Sequence, residues 1–466
     1  MMTGRPTRRD LLARTAFGAG ALGLLSVLAD ERRVVAADGR VLDPARLTGK
    51  AKALVVLFMG GGPSQVDTFD PKPLLTRLDG QAVPESIARG IPQVARAPHT
   101  DLLASPYRFT PRGRSGLPVS ELYPHVGGVI DDICVVRSCT HASPIHAPAE
   151  YFATTGTQIG DRPSLGAWLH YGLGSTTRDL PGYIVMHSAG ESGRSAAWSN
   201  GFLPARHQGT VCSAGGVPNV APPADVSAVS RTAQLDLVRG LNRMHAANHS
   251  DTSTLDARTA NLELAYRMQT AAPEAFDLSR EPARVKARYG IGEKEATEFG
   301  THCLLARRLV ERGVRVVQLR HGGWDAHGDL KQNHTPQALK SDKPIAALLA
   351  DLKQRGLLES TLVVWGGEFG RTPAAENPGA KSPGRNHSPS GYTVWLAGGG
   401  VRGGQVVGAT DEVGYAAVEK PVSPNDLHAT ILHAFGIDQH DLYFQHNNRK
   451  ELLTVNGGTV VRECFA

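Results

Sequence analysis

The sequence predicts an α/β fold, namely a doubly wound, mostly parallel β-sheet flanked by helices. Short continuous apolar segments recur along the 466 residues, and segments with helical periodicity separate them. Glycine closes two of the helical segments just before the next apolar segment, which is the order of αβ units in a parallel sheet. The 52 glycines and 30 prolines also suit a chain with many turns and loops.

Six apolar segments are predicted to be strands. The first begins at Ala51 and runs into the glycines of MGGGPS, as a buried parallel strand that feeds a loop does. The other five cover Ile133 to Arg137, Pro181 to Met186, Val314 to Leu319, Thr361 to Trp365, and Tyr392 to Leu396.

Helical segments fill several of the intervals between these strands. Clear examples are Glu298 to Arg312 and Ile345 to Arg355, where apolar residues recur with helical spacing. Residues 226 to 289 are polar, helical and without strand signals, whereas residues 187 to 225 are rich in Gly, Ser and Pro and are predicted to be a loop. We therefore expect one domain over residues 38 to 466, with an insertion around residues 187 to 290.

The first 37 residues are predicted to be a twin-arginine signal peptide. Arg8 and Arg9 precede an uncharged stretch rich in Gly, Ala and Leu from Ala16 to Ala29. These 14 residues are fewer than the ~20 that a membrane-spanning helix needs. We expect the twin-arginine export machinery to deliver a periplasmic or secreted protein without a stable membrane span, cleaved after Ala29 or Ala37. An amphipathic N-terminal helix is the alternative interpretation.

Charge and cysteine content exclude two other classes of protein. The net charge is +6, but six arginines and three acidic residues in the first 37 positions leave only +3 on the rest. No basic segment with interleaved aromatic residues occurs, so no nucleic-acid partner is expected. Five cysteines are few for an exported chain of this length, which excludes a disulfide scaffold, and their odd number leaves at least one unpaired. Burial as small apolar side chains is their simplest interpretation, although the sequence leaves their pairing open.

Polar side chains lie close to the predicted strand ends, where ligands bind in open parallel sheets. They are Ser64, Asp67 and Asp70 after the first strand, His321, Asp325 and His327 after the fourth, Glu368 and Arg371 after the fifth, and His387 shortly before the sixth. Carboxylates and imidazoles from neighbouring loops suit zinc, manganese or a similar divalent metal ion. A single aspartate after a strand, by contrast, is often a helix cap or a turn residue.

A histidine-containing segment is predicted to begin a helix near the same rim. THASPIHAPAE places His141, Ser143 and His146 ahead of Pro148, and proline favours the first turn of a helix. His146 is therefore expected near a helix N-terminus, where an anionic group is stabilised. It is a candidate metal ligand, acid/base or anion contact, with helix capping as the alternative.

Seven longer motifs follow one another along the chain. They are GGGPSQVDTFDPKP (60–73), IHAPAEYFATTG (145–156), CLLARRLVERGVRVVQL (303–319), GGWDAHG (322–328), LLESTLVVWGGEFGRTP (357–373), GRNH (384–387) and DLHATILHAFGI (426–437). Together they resemble the bacterial domain of unknown function 1501 (DUF1501) family, from about Ala51 to Asp438. Twin-arginine signals are usual in that family, in agreement with the N-terminal sequence.

The DUF1501 family is similar to the alkaline phosphatase and sulfatase superfamily, whose members hold one or two divalent metal ions on a doubly wound sheet. This resemblance implies an alkaline phosphatase-like fold and assigns metal-ligand positions to Asp67, Asp325, His327, Glu368 and His387. The superfamily's nucleophile position falls on His146, with Ser143 or Thr140 as possible substitutes. An Asp-His dipeptide is missing at Glu368-Phe369, and the signature of formylglycine sulfatases is absent.

Three functional hypotheses follow from these residues. The first is an exported, metal-dependent hydrolase of a small phosphate or sulfate ester, in which His146 and Ser143 face the scissile group. Arg371 would neutralise an oxyanion through its planar guanidinium. The second is a non-catalytic envelope protein that binds an anion, a sugar or a protein partner at the same rim. The third is a protein with a purely structural metal ion.

Overall fold

An eight-stranded sheet forms the centre of the fold. The computed structural model describes residues 42–43, 46–91, 101–188, 195–218, 228–246, 253–377 and 381–465, so the predicted signal peptide lies outside the described residues. The strands are β1 (Ala53–Met59), β2 (Phe109–Arg112), β3 (Leu117–Ser120), β4 (Ile133–Cys139), β5 (Tyr183–His187), β6 (Thr210–Cys212), β7 (Val316–His321), β8 (Thr361–Gly366), β9 (Gly370–Ala375), β10 (Arg385–Ser388), β11 (Tyr392–Ala397), β12 (Gln405–Val407), β13 (Ala409–Thr410), β14 (Ala417–Glu419), β15 (Tyr443–His446) and β16 (Arg449–Leu452).

All six predicted strands belong to the central sheet. Its strand order is β12-β4-β11-β8-β1-β7-β5-β6. The two edge strands, β6 and β12, were not predicted because each has only three residues. β6 also lies within the segment that was predicted to be loop.

One strand, β11, runs antiparallel to its neighbours β4 and β8, whereas the other pairs in the sheet are parallel. The connection from β8 to β11 contains the short β9–β10 hairpin, and its described residues include no crossover helix. A chain that turns back without a crossover re-enters the sheet in the opposite direction. The sheet is therefore mostly parallel, as predicted.

Helices cover both faces of this sheet, which confirms the doubly wound arrangement. The helices are α1 (Gln65–Thr68), α2 (Pro73–Arg77), α3 (Glu85–Ala88), α4 (Pro124–Gly127), α5 (His146–Thr155), α6 (Leu165–Leu173), α7 (Ala228–Ala246), α8 (Ser253–Phe276), α9 (Ala283–Arg288), α10 (Thr297–Glu311), α11 (Leu330–Gln354) and α12 (Pro424–Ala434). Helices α10 and α11 pack on the face that carries Val55 and Leu57, and α6 and α12 pack on the face that carries Leu54. Burial on both faces explains why β1 is continuously apolar.

The predicted insertion contains two long helices, α7 and α8. The end of α8 packs into the main core through Met268, Ala272 and Phe276. All five cysteines lie in the described ranges, where they are free and buried, as their simplest interpretation predicted. Within the described part of the chain, no helix combines the length and the apolar character needed to cross a bilayer.

Candidate metal centre

Four side chains converge at the carboxyl end of the central parallel strands. His146 is the first residue of α5, Asp325 and His327 lie in the loop between β7 and α11, and His387 lies on β10. One ligand atom from each residue lies within 4.8 Å of the ligand atoms of the other three. The cluster therefore forms at the rim where the sequence predicted a polar site.

Close approach of three loops brings these residues together. The register of the β9–β10 hairpin places His387 opposite Arg371. The loop after β7 comes so near the loop after β1 that a Cβ at Gly61, which has a φ of +107°, would lie 2.6 Å from the backbone nitrogen of Asp325. Glycine is therefore required at this position, both for its conformation and for the space it leaves.

A buried ion pair holds helix α5 against the sheet. Glu150, one turn after His146, lies 2.5 Å from the guanidinium of Arg320 near the end of β7, and both side chains are buried. The guanidinium of Arg320 also lies over the ring of Phe58, 4.5 Å from its centroid. This pair ties the helix that begins with His146 to the strand that leads to Asp325.

Each of the three imidazoles in the cluster presents its Nδ1 atom to an oxygen acceptor. Nδ1 of His146 lies 2.7 Å from Oε1 of Glu368, Nδ1 of His327 lies 2.5 Å from Oε2 of Glu376, and Nδ1 of His387 lies 2.7 Å from the carbonyl oxygen of Pro144. Because carboxylate and carbonyl oxygens accept, each Nδ1 donates its hydrogen. In a neutral imidazole this leaves a lone pair on Nε2.

The three Nε2 atoms point towards Asp325. Those of His327 and His387 lie 2.9 and 3.1 Å from Oδ1 of Asp325, and that of His146 lies 3.2 Å from Oδ2. The Nε2 atoms of His327 and His387 also face one another at 3.1 Å. Lone pairs that face each other and a carboxylate repel unless positive charge lies among them.

The donor set of this cluster fits a divalent metal ion. Three imidazole nitrogens and a carboxylate suit zinc and related transition metals. An acceptor on Nδ1, with Nε2 turned inward, is the arrangement that metal-binding histidines adopt. Nε2 of His146 is buried and lies 3.2 Å from Oδ2 of Asp325, so this nitrogen and the carboxylate are placed to bind the same ion.

The electrostatics of the cluster favour positive charge beside Asp325. Burial lowers the pKa of His146, but hydrogen bonds and charge interactions with Asp325 and Glu368 outweigh burial and raise this pKa to about 9. Burial raises the pKa of Asp325, but His146, His387 and Arg371 hold it well below its usual range. Protons and a metal ion would therefore compete for the same position.

Arg371 is fully buried and holds Asp325 in place. Its guanidinium donates to the carbonyl oxygens of Gly61, Gly62 and Arg385 and lies 2.5 Å from Oδ1 of Asp325. The N–H groups of Arg371 are thus already bonded to acceptors of the protein. This geometry favours a role in positioning Asp325 rather than the contact with a substrate oxyanion that the sequence predicted.

Glu368, predicted as a metal ligand, lies behind His146 rather than within the four-residue cluster. Its Oε1 accepts from Nδ1 of His146 and from the backbone N–H of Gly61 at 2.9 Å. Nε2 of His141 lies 2.5 Å from the Glu368 carbonyl oxygen and fixes the backbone there. Oε2 of Glu368 is buried and has no hydrogen-bond partner among the residues that the structure describes.

Asp67, also predicted as a metal ligand, is bound to an arginine. Its Oδ2 accepts from Nε of Arg385 at 2.7 Å and from the hydroxyl of Ser64 at 2.5 Å, and its Oδ1 accepts from Nη2 of Arg385 at 3.3 Å. Burial raises the pKa of Asp67, but Arg385 holds it below the usual range. The structure thus places this carboxylate outside the cluster, with both oxygens engaged.

Ser143, predicted as a catalytic residue, is buried in the loop before α5. Its hydroxyl donates to the carbonyl oxygen of Ile145 at 3.5 Å, and its backbone N–H donates to Nδ1 of His141 at 3.1 Å. Ser143 is thus described by local contacts and is not one of the four clustered residues.

Two charged residues at the site carry roles that the sequence did not predict. Glu376 follows β9, a strand whose sequence GRTPAA has no apolar alternation, and it accepts from His327 in the loop after β7. Arg385 lies in the GRNH motif, but its partner Asp67 is 318 positions away. Contacts of this range leave no local signal in a sequence.

Glu376 provides a test of how the imidazoles are held. Replacing Glu376 with alanine removes the acceptor on His327, and we expect metal affinity to fall roughly 10- to 100-fold, as when such acceptors are removed elsewhere. Titration of zinc into the metal-free protein measures this change. Glu359→Ala, at an exposed acid before β8, is the matched control and should leave affinity unchanged. Equal affinity in both variants would contradict the role given to Glu376.

A protein-family model matches residues 51–465, and it is described as "Protein of unknown function (DUF1501)". The chain belongs to the DUF1501 family. This match covers the region in which the seven motifs lie. None of the curated proteins matches the DUF1501 chain.

Solved structures similar to this DUF1501 protein include sulfatases, an alkaline phosphatase and a phosphonate monoester hydrolase. The PsFucS1 sulfatase from Pseudoalteromonas sp. is 13% identical, with a TM-score of 0.35, and the match covers 90% of this chain and 71% of that one. The alkaline phosphatase from the Antarctic bacterium TAB5 is 11% identical, with a TM-score of 0.32 and coverage of 83% and 98%. The phosphonate monoester hydrolase SpPMH from Silicibacter pomeroyi is 11% identical, with a TM-score of 0.33 and coverage of 89% and 76%.

Proposed function

We propose that this protein is an exported, metal-dependent hydrolase of phosphate or sulfate esters. The observation that carries the proposal is the convergence of three imidazole Nε2 atoms on Asp325 while each Nδ1 donates to a fixed acceptor. A divalent ion bound there would polarise a phosphoryl or sulfuryl oxygen and lower the pKa of bound water. Export rests on the paired arginines Arg8 and Arg9 ahead of an uncharged stretch.

Some residues of the site would bind the metal ion, and others orient the side chains that bind it. His146, Asp325, His327 and His387 would hold the ion, which gives His146 a ligand role in place of direct attack. Glu368 fixes the ring of His146 through Nδ1. The side chains of Asp325 and His327 are each 42% exposed, so a small anionic ester can reach the cluster from solvent.

The second candidate is a non-catalytic envelope protein that binds an anion, a sugar or a protein partner at this rim. It is favoured by the composition of the cluster, in which none of the four residues carries a hydroxyl or thiol nucleophile. The local hydrogen bond of the Ser143 hydroxyl points the same way. Hydrolysis by activated water needs no such nucleophile, which is why we place the hydrolase first.

Turnover of aryl phosphate and aryl sulfate esters tests the proposal. The mature protein loaded with zinc or manganese should hydrolyse at least one of the two esters, and a chelator should abolish the activity. Bound metal without turnover of either ester would favour the binding protein. A large drop in Tm on chelation, again without turnover, would instead indicate a structural ion.

A further inference from the structure

The charged groups around the cluster determine how many metal ions it can take. We infer that the site holds a single divalent ion and that two buried guanidinium groups, those of Arg371 and Arg385, supply the remaining positive charge. This inference rests on the proposed metal dependence and specifies its stoichiometry. It departs from the two-ion arrangement that the resemblance to alkaline phosphatases allows.

Arg385 occupies the position beside Asp67 that a metal ion bound by this carboxylate would need. Both side chains are fully buried, and the guanidinium contacts both carboxylate oxygens. The same guanidinium donates to the backbone carbonyl oxygens of Leu103 and Thr372, at 3.0 and 3.3 Å. It is thus fixed from several directions and cannot withdraw without leaving carbonyl oxygens unpaired.

Arg371 plays the corresponding part on the other side of the cluster. Its guanidinium lies against Oδ1 of Asp325, and its remaining donors are held by the carbonyl oxygens of Gly61, Gly62 and Arg385. Asp67 and Asp325 are therefore each paired with a buried arginine. Asp325 still presents Oδ2 to Nε2 of His146, whereas Asp67 presents no unpaired oxygen.

The charges of these groups leave room for one divalent ion. Four carboxylates contact the cluster or Arg385, namely those of Asp67, Asp325, Glu368 and Glu376. Two guanidinium groups face them, so with neutral imidazoles two negative charges remain. One divalent ion cancels these charges. A second divalent ion would leave two uncompensated positive charges on these groups, of which Asp67, Arg371 and Arg385 are fully buried, and such an excess of charge is unfavourable.

Metal stoichiometry tests this inference. The metal-free full-length mature protein, titrated calorimetrically with Zn²⁺ and then analysed for bound zinc, should take up one equivalent. The double variant Asp67→Asn/Arg385→Gln removes both charges of the buried pair, and it should still bind one equivalent with affinity within about threefold of the wild type. Asp325→Asn should bind none.

Two equivalents in the wild-type protein would overturn the inference, as would loss of zinc in a folded Asp67→Asn/Arg385→Gln variant. The wild-type stoichiometry decides the matter even where the double variant does not fold. Failure of the proposed function gives a different result: one bound equivalent without ester turnover leaves the single-ion site intact, whereas no bound zinc removes both proposals.

Discussion

The Asp325→Asn variant should lose its metal ion and all measurable ester hydrolysis while remaining folded. Asp325 is the residue on which all three imidazole Nε2 atoms converge, so removing its charge removes the centre of the cluster. We expect metal affinity to fall by more than the roughly 10- to 100-fold that follows when a group hydrogen-bonded to a metal ligand is removed. Elemental analysis and thermal unfolding followed by circular dichroism measure the two properties.

A matched control lies four residues along the same loop. Asp329 is exposed and adopts a left-handed conformation, with a φ of +47°, which asparagine tolerates well. Asp329→Asn should therefore keep full metal content and activity. Stoichiometric metal in Asp325→Asn would show that the ion is held elsewhere.

The Arg385→Met variant should be destabilised by about 3–5 kcal/mol, because it leaves the carboxylate of Asp67 buried without its partner. Urea unfolding with a fixed m-value measures this change. Arg114→Met is the control, since that side chain is 98% exposed and its loss should change stability by less than about 0.5 kcal/mol. A change of similar size in the two variants would contradict the structural role of the Asp67–Arg385 pair.

The stability loss in Arg385→Met should depend on pH. In the wild type, Arg385 holds the pKa of Asp67 below its unfolded value against the opposing effect of burial, so the carboxylate contributes stability above that unfolded value. In the variant, Arg385 no longer opposes the effect of burial, which raises the pKa, and the protonated form is tolerated in the core. The deficit should therefore shrink as pH falls towards the ordinary aspartate value of about 3.9. A deficit that grows on acidification would contradict this account.

Much of the fold could be predicted because its strands are buried on both faces. β1 and β8 are continuously apolar, or nearly so, for this reason, and their boundaries can be recognised in the sequence. The direction of β11 could not be predicted, because it depends on a hairpin whose strands are short and irregular in pattern. β6 and β12 pair with the sheet through only three residues each, too few for a periodic signal.

The location of the site could be predicted from the expected fold, but the side chains that its residues contact could not. The carboxyl ends of parallel strands lie at the same edge of the sheet. Asp325, His327 and Glu368 follow such strands, so they were expected near each other. Whether a carboxylate binds metal or an arginine depends on side chains that approach from distant segments. Arg385 binds Asp67 in this way. His146 faces Asp325, whereas Glu368 contacts the other nitrogen of the His146 ring.

The central claim is that three imidazoles bind one ion, and X-ray absorption spectroscopy of the zinc-loaded protein tests it most directly. The zinc edge should show a first shell of nitrogen and oxygen with the outer-shell scattering of three imidazole rings, reduced to two in His387→Ala. A first shell without imidazole scattering, or one that is the same in His387→Ala and the wild type, would contradict the site described for His146, Asp325, His327 and His387.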